Sequence, residues 1–129
     1  MQNIIPILSN EALRPWFDKI ALVHECVAQV QKDLGSYGIQ LEYSGVAANA
    51  YEELFVQLQP QISSLLHSST QLMEILYRVD VSEVQVQKAV ESNEGLDFTL
   101  TRLILWRELQ KVVTRFLLQS DNSTVSEFD

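Results

Sequence analysis

Two histidines and a single cysteine are the side chains here best suited to chemistry at neutral pH. His24-Glu25-Cys26 sets a thiol close to an imidazole, the elements of a nucleophile and its base. On a helix, however, residues two apart point about 200° from each other. His24 and Cys26 then cannot share a hydrogen bond, and Cys26 reads as a small buried hydrophobe. His67 stands in "SSLLHSST", residues 63–70, among five hydroxyl side chains. Helical spacing places it within about 40° of Pro60, Ser63, Gln71 and Glu74, on a polar face. Ser69 falls instead in an apolar stripe, where a small residue lets another helix approach and its hydroxyl can bond the Leu65 carbonyl.

Metal chemistry finds no frame in this pattern. Carboxylate-bridged bundles use Glu-x-x-His pairs, and Ala21 and Ser64 hold the places three residues before the histidines. Neither H-E-x-x-H nor C-x-x-C occurs. Gly35-Ser36-Tyr37-Gly38 follows a helix and lacks the Gly-Lys-Ser/Thr ending of a phosphate loop, so its glycines read as helix termination. Glu52 and Glu53 are adjacent and diverge on a helix. No catalytic, cofactor or metal residue is therefore expected.

The elements that would position any site are helices. Trp16, Ile20, Val23, Val27, Val30 and Leu34 form a heptad-spaced seam, which predicts a helix from about Pro15 to Leu34 with Gly35 as its cap. Asp18, Glu25, Gln29 and Lys32 fall opposite. Residues 35–45 read as an extended connector, with Ile39, Leu41 and Tyr43 on its packed side. A second helix is expected from about Ala47 to Arg78, with a kink or break at Pro60. In residues 79–92, valine spacing suggests a hairpin, but Ser82 and Gln85 form a capping box, and a short helix from about Glu83 to Ser92 is the favoured reading. The last helix is expected from about Phe98 to Gln119 with Asp97 as its cap. Residues 120–129 read as a disordered acidic tail.

The 129 residues suit one domain, residues 1–119, large enough to fold without disulfide or metal. A net charge of −8 opposes nucleic acid and anionic lipid. No run approaches the roughly 18 apolar residues that span a bilayer, and the first residues lack a signal peptide's positive start. A cytoplasmic protein is expected.

One surface departs from this pattern. Leu100, Ile104 and Leu118 lie roughly opposite the main stripe of the last helix, with Arg107, Lys111 and Arg115 among them. Residues 98–119 carry four basic side chains and one acidic, against the trend of the chain. A central place in the bundle would explain this mixed back, as would an interface. Arg102 is placed to stack on Trp106, to pair with a buried acid, or to snorkel. The expectation is an all-α bundle of three long helices and one short, kinked at Pro60. It would act without catalysis, through protein contacts and as a homodimer, using those six residues. The alternative is an enzyme with a cleft between helices, supplied by Tyr37, Tyr43, Tyr77, Arg78 and Arg102.

Overall fold

The computed structural model describes residues 13–127, the side chains of residues 14, 47 and 120–127 excepted. Every regular element among them is helical. A 3-10 turn, Arg14–Asp18, precedes α1, Ile20–Leu34, and another, Gly35–Tyr37, follows it. A third turn, Ala47–Asn49, leads into α2, Ala50–Leu65. Then come α3, Ser69–Val79, α4, Glu83–Glu91, and α5, Leu96–Glu127.

The first helix is shorter than its seam predicts. Lys19 leaves the helical region at φ −99° and ψ 103°, so Trp16 sits in the preceding turn. Ile20 is consequently exposed, while Leu22, Val23, Cys26, Val30 and Leu34 enter the core. Gly35 keeps a right-handed helical conformation. The left-handed residue that ends this segment is Gly38, at φ 85°, where a side chain would be strained.

The second helix is not one helix to Arg78. Pro60 lies inside α2, and the interruption falls later, between Leu65 and Ser69. There Ser68 turns extended and caps α3, its hydroxyl accepting from the Gln71 N–H. The break resets the helical register. Ser69 becomes the exposed first residue of α3 instead of a packing point, and Ile75, Leu76 and Val79 carry the buried face. His67, in the break, is exposed, as its polar-face position predicts.

Residues 79–92 settle in favour of the helix. Both arms of the Ser82–Gln85 capping box form at the start of α4. The last helix begins at Leu96, which leaves Asp97 within its first turn, and runs on past Gln119. The expected acidic tail, residues 120–129, falls on side chains outside the described residues.

The extended connector has no neighbouring strand, yet its backbone is paired. Gln61 donates to the Gln40 carbonyl and accepts from its N–H, at 2.8 and 2.9 Å. Gln57 does the same for Glu42, at 2.7 and 2.8 Å. From the other side, Gln31 accepts from the Leu41 N–H and donates to the Ile39 carbonyl. Glutamine has a donor and an acceptor at one end and so reproduces an absent strand. Ile39 and Leu41 are thereby held in the core.

α5 packs against each of the other four helices. Leu100, Ile104, Leu105, Leu109 and Val113 form its buried spine.

Candidate functional site

Three fates divide the six residues expected at an interface. Leu100 and Ile104 are 1% and 0% exposed, so they face the core and offer nothing to a partner. That is the central-helix explanation of the mixed back. Leu118 is 41% exposed. The three cations, spaced four residues apart, are engaged within the chain. Arg107 clamps the turn after α3, donating to the Asp80 carboxylate at 2.8 Å and the Asp80 carbonyl at 3.2 Å. Lys111 donates to the Arg78 carbonyl and to Asp33, both at 2.9 Å. Arg115 donates to Gln29 at 2.9 Å, with Glu25 at 3.9 Å. Cations at the C-terminal end of α3 complement its dipole, and a stripe meant for solvent becomes a row of fasteners.

Under that row lies a cluster that residue spacing does not foretell. Asp33 receives Lys111 and also Gln29, at 3.0 Å. Glu108 is fully buried. The Lys111 ammonium lies 3.1 Å from Glu108 Oε1, off the line of a hydrogen bond, and neither Glu108 oxygen has an aligned donor. Burial pushes the Glu108 carboxyl up to about 8, and the nearby Asp33 reinforces this against the pull of Lys111. Burial also raises Asp33, but hydrogen bonds from Lys111, Glu108 and Gln29 outweigh it and hold Asp33 below the usual range. The Cys26 thiol is driven up by burial and then by the Glu108 charge. It is an inert core residue. Glu108 is visible in the sequence as the one acid in the apolar run of the last helix. Its partners Asp33 and Gln29 lie on another element and carry no such mark.

On the outer side of α3 the chain exposes a ridge. Met73 is 64% exposed and Tyr77, one turn on, 87%. A hollow of about 470 Å³ lies on one flank, lined also by Tyr37, Glu74 and Arg78. A second, of about 330 Å³, opens between α3 and α4 over Leu76, Val81 and Val86, with Glu83 at its edge. Both of these helices also pack on α5. Tyr37 donates to Glu74 at 2.9 Å, and Arg78 Nε donates to the Tyr37 oxygen at 3.1 Å. The Arg78 guanidinium lies over the Tyr37 ring at 5.6 Å.

Of the five residues considered for an enzyme cleft, Tyr37, Tyr77 and Arg78 therefore meet. Tyr43 does not: its ring packs on His24 at 5.0 Å and its hydroxyl is enclosed without a hydrogen-bond partner. Burial, then the Glu53 charge, raises its proton affinity. Arg102 pairs with exposed Glu94 at 3.1 Å and lies over Phe98, not Trp106. No group of three or more metal-binding side chains occurs among the described residues, nor any helix long and apolar enough to cross a membrane. The chain matches no protein-family model, no curated protein and no solved structure.

Proposed function

We propose that this is a small, non-enzymatic cytoplasmic protein that acts by docking another polypeptide on the Met73–Tyr77 ridge. The observation that carries this reading is the exposure of those two side chains between two hollows. Tyrosine buries large area at small entropic cost and is enriched where binding energy concentrates. Methionine adapts to varied apolar partners. The occupant fitting this relief is an amphipathic helix, its apolar side chains set against the ridge and in the hollow over Val81 and Val86. Glu83 and Glu74, in a chain of net charge −8, favour basic residues on that helix.

Photo-crosslinking from position 73 tests this. Crosslinks should map to an apolar and basic helix of another protein, and Tyr77→Ala should cut their yield about tenfold, a hot-spot loss of roughly 1.4 kcal/mol or more. Unchanged yield in that variant would overturn the proposal.

A second reading rests on the exposed Leu118. It offers a homodimer contact on the outer part of α5, twofold pairing being the commonest closed assembly. Light scattering decides it: dimers that Leu118→Glu dissociates support this contact. The enzyme alternative keeps only the Tyr37–Arg78–Tyr77 group as a cleft.

A further inference from the structure

Three charged side chains meet where α1, α3 and α5 converge, and they do not balance. Asp33 and Glu108 share one ammonium, that of Lys111. Two carboxylates and one cation would leave a negative charge in a site where Glu108 is wholly shut off from water, an arrangement strongly disfavoured by desolvation. The donors are also divided unequally. Asp33 has Lys111 and Gln29, and Glu108 has no aligned donor at either oxygen. A proton on Glu108 resolves both faults. It makes the group of three neutral, and it turns an unsatisfied acceptor into an O–H that donates to the Asp33 carboxylate.

We propose that Glu108, Asp33 and Lys111 form a proton-held clasp between α1, α3 and α5, closed when Glu108 carries its proton and loosened when it loses it. The clasp is built on a continuous chain of bonds. Arg115 donates to Gln29, Gln29 to Asp33, and Lys111 to both Asp33 and the Arg78 carbonyl at the end of α3. When the proton leaves through the partly exposed Asp33, two like charges face each other across Lys111. The ammonium cannot satisfy both and still hold α3.

The charged groups around this point are few. Asp33 and the Cys26 thiol face Glu108 from α1, and Lys111 faces it from its own helix. From the end of α3 comes the Arg78 carbonyl, with Asp80 beyond it held by Arg107. Arg115 stands at the outer edge with Glu25. Only Asp33 and Lys111 act appreciably on the Glu108 proton, and they oppose each other.

Burial first and Asp33 second place the release near pH 8, against an ordinary value of 4.5. The folded chain therefore holds a proton that the unfolded chain lacks between those limits. Stability should be fullest below about 4.5 and decline as the pH rises through 8, by up to roughly tenfold in the unfolding constant per pH unit. Asp33 shifts the opposite way, below 3.8, and so does not overlap this window.

Urea unfolding of the whole chain, wild type beside Glu108→Gln, reads the linkage directly. The glutamine mimics the protonated acid and cannot lose the proton. Dividing the two unfolding constants removes the contribution of every other titrating group. The ratio of wild type to variant should rise about tenfold or more between pH 6 and pH 9, and a ratio constant over that range would overturn the clasp. Should Glu108→Gln fail to fold, the carboxyl carbon of Glu108 is followed by NMR in the wild type. A midpoint above about pH 7 supports the proposal, and one below about 5.5 sinks it. The docking ridge plays no part in either measurement.

Discussion

Gln31, Gln57 and Gln61 show how one residue type is used twice over, as a donor and an acceptor at fixed spacing. Each holds two backbone groups of the connector. Their loss should be graded by burial. The Gln31 bonds are partly buried, so Gln31→Ala should cost about 2–3 kcal/mol, with two backbone groups left poorly solvated. The Gln61 bonds are exposed and water replaces them, so Gln61→Ala should cost about 1 kcal/mol or less. Urea midpoints of the two variants measure the order, and equal midpoints would contradict it. The alternation of Ile39, Leu41 and Tyr43 makes the extended segment legible in the sequence, together with the side it buries. The pairing is not legible there, because glutamine on a helix surface reads as solvent-facing whatever it touches. Glu108 stands out as a lone acid, but its pairing is hidden for a related reason. Its burial depends on Asp33, a residue 75 positions earlier, and helical periodicity reports only on a residue's own helix.

Capping decides where the middle helices begin. Ser82 and Gln85 satisfy both ends of a box, and that short pattern outweighs four valines of strand character. Ser68 gives a weaker sign in the sequence, with Pro60 nearby as the more obvious breaker. A proline inside a helix removes one bond, which neighbouring turns absorb, whereas an N-cap serine with an extended backbone starts a new helix outright. The break at Ser68 moves Ser69 from the core to the surface and brings Met73 and Tyr77 onto the ridge. The two caps should differ in strength. The Ser82 bonds are 3.2 Å in both directions, and the Ser68 bond is a long 3.5 Å. Ser82→Ala should therefore cost about 1 kcal/mol and Ser68→Ala about half that. Thermal unfolding followed by circular dichroism ranks them, and a larger loss at Ser68 would show that the α2–α3 break depends on its cap alone.

The whole molecule is organised around α5, and this explains why its sequence reads like an interface. A helix packed on every side needs apolar residues on its back as well as its front, which is the pattern an exposed docking helix would show. Sequence alone leaves the two cases open, because both bury the same side chains against different partners. The cations separate them once the fold is known. Arg107, Lys111 and Arg115 each end on a group of this chain, so no second subunit is required to neutralise them. Ile104 and Leu118 put the distinction to a test. A carboxylate at Ile104 would be buried at full desolvation, a cost on the order of 4 kcal/mol or more, against a total stability of about 5–15 kcal/mol for a domain of this kind. Ile104→Glu should thus lose most of its helical circular dichroism at room temperature, or unfold at far lower urea than the wild type. Leu118→Glu, on the exposed rim, should keep both its spectrum and its urea midpoint. A folded Ile104→Glu that merely dissociates from an oligomer would place the back of α5 at a subunit contact and remove the central-helix account.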